Sequence, residues 1–103
     1  MNYRINYSKV MSQVASIEED AEQLYAEIKQ LRQLEENTHT IWKGEASNKF
    51  NNKLSQLVYN MQRTYKQMID LAYTIKYCAN RIRNEEEKEK ERAAALSNGG
   101  GFR

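Results

Sequence analysis

Apolar residues recur along the first third of the chain in alternating steps of four and three. The series is Val10, Val14, Ile17, Ala21, Leu24, Ile28 and Leu31. This spacing keeps one apolar stripe on a single helical face, and its period is typical of helical bundles and coiled coils. Asn6 or Ser8 can cap the start, since a short side-chain acceptor satisfies free amides of the first turn. The pattern predicts a first helix over residues 7–37.

A second apolar series begins after residues 38–44, which read THTIWKG. Asn37 and the two threonines favour local backbone hydrogen bonds over helix continuation, and Gly44 accepts dihedral angles that other residues avoid. The chain is therefore expected to reverse here, and the second series predicts a helix over 45–84. Its members are Ala46, Phe50, Leu54, Leu57, Met61, Met68, Ile75, Ala79 and Ile82, with Thr64 or Tyr65 and Leu71 or Ala72 filling the gaps.

These two patterns predict an all-α fold, an antiparallel two-helix hairpin over residues 1–84. Each apolar stripe is wider than one partner helix covers, so the hairpin is expected to dimerise into a four-helix bundle. Residues 85–103 are expected to form a charged helical extension and, from Ser97, a flexible C-terminal tail. The residues predicted for the packing and dimer seam are Val14, Ile17, Leu24, Ile28, Leu31, Leu54, Leu57, Met61, Met68 and Ile75.

The only tryptophan lies in the predicted turn, two residues before Gly44. Trp42, Ala46 and Phe50 are spaced by fours, so they are expected to stack along one edge of the second helix. The indole would then cover the closed end of the hairpin, with small Ala46 letting the helices approach closely and Phe50 filling the next layer. Burial of a large aromatic side chain is worth roughly 1.5–3 kcal/mol.

Composition narrows the function classes. The chain has 103 residues, with 16 Lys and Arg against 14 Asp and Glu for a net charge of +2. This balance is too small to favour nucleic acid or anionic lipid by long-range attraction. The absence of proline permits long helices. The N-terminus lacks the apolar core of a signal peptide, and no segment has the roughly 20 apolar residues of a membrane span.

Candidate chemistry is sparse, and an enzyme is not expected. His39 has no second histidine nearby, and Cys78 is the only cysteine, so no catalytic residue, metal ligand or cofactor is predicted. Cys78 is expected to be a buried, inert thiol at the edge of the stripe. The second-helix tyrosines are expected to belong to the core and the dimer seam, and they are Tyr59, Tyr65, Tyr73 and Tyr77.

The segment Trp42-Lys43-Gly44, followed by Ala46 and Phe50 between two amphipathic helices, resembles the WXG family. These are the small early-secreted-antigen-like proteins of bacterial type VII secretion. The resemblance covers residues 5–84. It implies a hairpin that pairs head to tail in a four-helix bundle and is exported without a cleaved signal peptide.

One feature departs from that family. Many members carry a Tyr-x-x-x-Asp/Glu export signal just past the second helix, whereas here Tyr77 is followed at the fourth position by Arg81. The run from Glu85 to Arg92 is either a merely solvated helix end or a partner signal, and Lys76 with its basic neighbours can hold a partner's carboxylate. The candidate partner or export residues are Tyr77, Arg81, Arg83, Glu85, Glu86 and Glu89.

The resemblance implies a small bacterial type VII secretion protein, either an exported substrate or a chaperone-like partner. It would be cytoplasmic before export and secreted or cell-surface afterwards. Its partners would be itself or a related hairpin, with a secretion ATPase or a large effector as further candidates. Two alternatives remain open: an adaptor for the N-terminal helical region of a larger toxin, or an unrelated helical export chaperone or phage structural protein.

Overall fold

The protein is described here by a computed structural model over residues 5–98, which form two long α-helices joined by a tight turn. Helix α1 spans Tyr7–Ile41 and helix α2 spans Glu45–Asn98. The helices run antiparallel, because contacts join Glu35 to Ser55 near the turn and Glu18 to Lys76 farther from it. The predicted all-helical hairpin is confirmed, and its overall extents are 89 × 16 × 14 Å.

The two helices pack along a strict heptad seam, the line of α1 and α2 positions that face each other. In α1 the seam positions follow steps of three and four at Tyr7, Val10, Val14, Ile17, Ala21, Leu24, Ile28, Leu31, Glu35 and Thr38. In α2 the same steps give Ser47, Asn51, Leu54, Val58, Met61, Tyr65, Met68, Ala72, Ile75, Ala79, Ile82 and Glu86. These positions include every fully buried residue among those described, as expected for a two-helix coiled-coil contact.

The core is richest in large side chains in the half of the hairpin nearer the turn. Ile28, Leu54 and Val58 form its buried centre, and partly buried Leu24, Leu31, Met61 and Tyr65 pack around it. Toward the open end three of the four buried positions are small, at Ala21, Ala72 and Ala79, and the fourth is Val14. Small seam residues let the helix axes approach closely, so the hairpin stays thin along its length.

At the start of α2 the buried positions are not those that the apolar series predicts. Ala46, Phe50 and Leu57 are exposed, and the residues that follow Ala46 and Phe50, Ser47 and Asn51, are buried instead. The apolar pattern predicts the wrong seam positions here, because two polar residues occupy the first seam positions of α2. From Leu54 onward the remaining seam positions are mostly apolar, and the predicted and observed series largely coincide.

Both helices are longer than predicted. Asn6 caps α1, because its Oδ1 accepts a hydrogen bond from the Lys9 N–H at 3.1 Å. The Thr38 and Thr40 hydroxyls donate to the Leu34 and Glu36 carbonyls one turn back, so these residues continue the helix to Ile41. Helix α2 continues through Ser97 and Asn98, whereas a tail was predicted from Ser97. The rest of that predicted tail, 99–103, lies outside the described residues.

The open end of the hairpin is held by a group of contacts that we call the clasp. The Glu86 carboxylate accepts a hydrogen bond from the Ile5 N–H at 2.8 Å, and the Tyr7 hydroxyl donates to Asn80 Oδ1 at 2.6 Å. The Arg83 guanidinium lies 4.3 Å from the centre of the Tyr7 ring. The seam therefore ends at Glu86, and α2 continues beyond it as a single exposed helix.

Replacement of a central seam residue should destabilise the hairpin far more than replacement of an apolar residue on the protruding helix. Ile28 is 1% exposed and Leu96 is 71% exposed. We expect Ile28→Ala to cost about 2–5 kcal/mol of unfolding free energy, and Leu96→Ala to change it by less than about 0.5 kcal/mol. Urea unfolding followed by circular dichroism measures both, and equal effects would contradict the described seam.

Candidate partner-binding surface

The chain reverses within three residues, Trp42 to Gly44, rather than over the predicted segment 38–44. Trp42 ends α1 with an extended backbone, and its N–H donates to the Thr38 carbonyl at 2.8 Å. Gly44 has a φ of +122°, a conformation that side chains with a Cβ rarely adopt. Its carbonyl accepts from the Asn48 N–H at 3.1 Å, which begins the hydrogen bonding of α2. Space is not the constraint at this position, because an added Cβ would meet no atom within 4 Å. The backbone angle is therefore the reason that glycine is required.

A buried polar layer lies directly behind the turn. The Ser47 hydroxyl donates to the Trp42 carbonyl at 2.6 Å, so it fixes the end of α1 against the start of α2. Asn51 Nδ2 lies 3.4 Å from both Ser47 Oγ and His39 Nδ1. Ser47 and Asn51 are 2% and 4% exposed, so this layer provides the close helix approach that was predicted for Ala46. The sequence signal was present in the heptad spacing that leads from Ser47 to Leu54.

The Trp42 indole packs against Phe50 on the outside of the turn. The ring centroids are 5.8 Å apart and the planes are tilted by 45°. Trp42 is 45% exposed and Phe50 is 40% exposed, so the pair covers only part of the closed end. Nearby Ile41 is 82% exposed. The motif thus stabilises the turn and leaves a broad apolar surface open to contact.

This surface continues along α2 as a line of residues spaced by seven. We call it the α2 stripe, and it consists of Phe50, Leu57, Thr64, Leu71 and Cys78. Leu57 and Leu71 are 49% and 51% exposed, and Thr64 and Cys78 are also exposed. The stripe lies beside the seam, at the heptad position that flanks it. Leu34 and Ile41 occupy the equivalent flanking positions of α1 near the turn, at 44% and 82% exposure.

The opposite edge of the seam carries polar contacts between the helices. Lys76 Nζ lies 2.6 Å from Glu18 Oε2, and Ser55 donates a hydrogen bond to Glu35. The Tyr25 and Tyr65 rings stack with centroids 5.3 Å apart. Side chains on this edge therefore satisfy one another within the hairpin. The two edges differ, since this one carries the contacts between the helices together with exposed Ile69, whereas the other presents a line of exposed apolar side chains.

The predicted seam residues fall into three groups in the structure. Val14, Ile28 and Leu54 are buried, whereas Leu57 is exposed on the α2 stripe. The partly buried ones are Ile17, Leu24, Leu31, Met61, Met68 and Ile75. The intrachain seam and the surface available to a partner are thus separate sets of residues, which the apolar pattern alone does not distinguish.

A sequence comparison supports the significance of the turn motif. The WXG100 family, described as proteins of 100 residues with WXG, has a sequence model that matches residues 2–87. The chain belongs to the WXG100 family. Among curated proteins and among solved structures, no match was found.

The name of the WXG100 family corresponds to Trp42, Lys43 and Gly44, the three residues of the observed turn. Membership points to a small secreted protein of the type VII pathway. The match ends at residue 87, directly after the clasp residue Glu86. Apart from Glu87, the protruding part of α2 therefore lies beyond both the hairpin and the family match.

The candidate export residues of this WXG100 chain have different surroundings. Arg83 and Glu86 are engaged in the clasp with Tyr7 and Ile5. Tyr77 is 53% exposed. The centre of its ring lies 6.5 Å from that of the Tyr73 ring and 5.9 Å from the Arg81 guanidinium. Glu85 and Glu89 are exposed on α2. The structure thus does not bring the six residues together as one site.

Two further predictions concern single residues. Cys78 is exposed, so the expectation of a buried thiol is wrong, because the α2 stripe flanks the intrachain seam rather than entering it. Tyr59, Tyr73 and Tyr77 are likewise exposed rather than core residues, and only Tyr65 packs against the core.

Within residues 5–98 there is no cluster of potential metal ligands. Across the same range, no helix combines the length and apolarity that a membrane crossing requires.

Substitution of Gly44 tests whether its backbone angle determines the turn. We expect Gly44→Ala to destabilise the hairpin by about 1–3 kcal/mol, because alanine is strained at a φ of +122°. In a domain of this size, each kcal/mol lowers the thermal midpoint by roughly 4–8 °C. Lys43→Ala, an exposed neighbour, serves as the matched control and should leave the midpoint nearly unchanged. Equal midpoints for the two variants would contradict the assignment.

Proposed function

We propose that this protein is a non-enzymatic type VII secretion protein that works by pairing with another helical hairpin. It acts as an exported substrate or as a chaperone-like partner of one. The single observation that supports this best is the α2 stripe, an apolar line on a chain of a family associated with that pathway. Partially exposed Leu57 and Leu71 would each gain roughly 1 kcal/mol from further burial in a bundle.

The spacing of the α2 stripe favours antiparallel pairing of two α2 helices. Leu57 and Leu71 are equally distant from Thr64, and so are Phe50 and Cys78. A two-fold axis at Thr64 would therefore place Leu57 of one copy on Leu71 of the other. This register would complete a four-helix bundle and place the two turns at opposite ends.

A cysteine at position 64 tests this register directly. In a Cys78→Ser background, Thr64→Cys should form a covalent dimer of about twice 12.1 kDa under mild oxidation. The reason is that helices packed at Thr64 bring the two Cα atoms within disulfide range, about 4.4–6.8 Å. The measurement is a non-reducing gel at about 0.5 M NaCl, where surface charges are screened.

The matched control for this experiment is Lys66→Cys in the same background. Lys66 is exposed on the outer face of α2, away from the α2 stripe. It should cross-link much more slowly than the cysteine at position 64. Equal rates at positions 64 and 66 would exclude the proposed register, and a monomer by sedimentation at micromolar concentration would exclude self-pairing under these conditions.

The protruding part of α2 is proposed to serve in export or partner capture rather than in folding. Deletion of residues 87–103 removes no seam or clasp residue, so the hairpin should keep its thermal midpoint within a few degrees. Secretion from a bacterium with the type VII apparatus should fall. Normal secretion of the shortened chain would disprove a signal in this segment.

A second candidate function is that of an adaptor for a larger toxin that carries the export signal. The observation that favours it is the absence of Tyr-x-x-x-Asp/Glu around Tyr77, where Arg81 takes the acidic position. Co-expression with the N-terminal helical region of a toxin encoded nearby tests this role. A stable complex, together with export only in the toxin's presence, would favour the adaptor function.

A further inference from the structure

The charges of this protein are segregated between the two helices of the hairpin. In α1 there are seven acidic and three basic residues, a net charge of −4. In residues 45–84 of α2 there are seven basic and two acidic residues, a net charge of +5. The chain's overall charge of +2 therefore conceals an acidic helix beside a basic one.

Most of this positive charge is not neutralised within the hairpin. Among residues 5–98, the one ion pair is that between Lys76 and Glu18. Arg83 is held over the Tyr7 ring in the clasp. Within residues 45–84, the basic residues that remain exposed without an ion-pair partner in the described range are Lys49, Lys53, Arg63, Lys66 and Arg81.

A second copy paired through the α2 stripe would bring these charges to the same levels. Counted outward from Thr64, Arg63 falls level with Arg63 of a second copy to within two helical residue rises, about 3 Å. Lys49 falls level with Arg81 to within about 3 Å. Like charges along a contact lower affinity and suppress the wrong partner.

From this pattern we infer that the occupant of the α2 stripe is a hairpin chain whose opposing helix is acidic, rather than a second copy of this chain. The inference rests on the proposed pairing through α2 and specifies its partner. Apolar contacts with Leu57 and Leu71 would supply affinity, and carboxylates beside them would face Lys53, Arg63 and Arg81. Complementary charge at the edge of an apolar contact selects the partner more than it adds affinity.

A charge-reversed copy of this chain provides the partner for a test. Lys49→Glu, Lys53→Glu, Arg63→Glu and Arg81→Glu each change the charge by two, so residues 45–84 go from +5 to −3. This variant and the unreversed chain both carry Thr64→Cys and Cys78→Ser, and one carries a tag that separates the species on a gel. They are mixed in a glutathione redox buffer, and the three covalent dimers are quantified.

With equal amounts of the two chains at low ionic strength, the ratio of the mixed dimer to the two like dimers together should exceed its statistical value of about 1 by at least about five-fold. In about 0.5 M NaCl the preference should disappear as the charges are screened. A statistical mixture at both salt concentrations would overturn the inference. Absence of every covalent dimer at both salt concentrations would instead refute pairing through Thr64, and with it the proposed function's register.

A neutral variant protects the test against loss of folding in the charge-reversed chain. Glutamine at the same four positions, in the same cysteine background, removes the repulsion without adding carboxylates. It should form like dimers at low salt about as readily as at high salt, whereas the unreversed chain should form several-fold fewer at low salt than at high salt. Equal salt dependence of the two chains would overturn the inference, and circular dichroism checks that each is helical.

Discussion

The structure depends on the close packing of two helices along one heptad seam, with Ile28, Leu54 and Val58 at its centre. Neither helix has another element among the described residues against which to bury apolar surface. An isolated helix gains most of its stability from such packing rather than from intrinsic propensity. The turn at Gly44 and the clasp at Glu86 fix the two ends of this contact, so they set which residues face each other.

The antiparallel arrangement makes the two edges of the seam inequivalent. On one edge Glu18 forms an ion pair with Lys76, and the Tyr25 ring packs against the Tyr65 ring. On the other, Phe50, Leu57 and Leu71 remain half-exposed. A partner contact on the first edge would have to replace existing interactions, whereas a contact on the second would only remove apolar surface from water. The asymmetry therefore makes the second edge the more favourable one for contact with a partner.

Much of this architecture was predictable, because apolar periodicity and a glycine at a chain reversal are strong local signals. The hairpin and the positions of Val14, Ile28 and Leu54 follow from them. The buried positions at the start of α2 do not follow from them. Ser47 and Asn51 are polar residues that form hydrogen bonds in the interior, and an apolar pattern does not include polar residues. The exposure of Cys78 does not follow either, because it lies beside the correctly predicted seam positions Ile75 and Ala79, and apolar spacing does not show whether such a flanking position is covered. The clasp joins residues about 80 positions apart, and no local pattern reveals such a contact.

The part of α2 beyond Glu86 has a simple geometric consequence. Twelve helical residues, 87–98, extend about 18 Å from the hairpin at 1.5 Å per residue. A receptor that binds the far end of this arm would be separated from the body of the hairpin by about 18 Å, slightly more than the 16 × 14 Å cross-section of the molecule. Recognition of the arm and coverage of the apolar edge can then take place at the same time, because neither binding event sterically blocks the other.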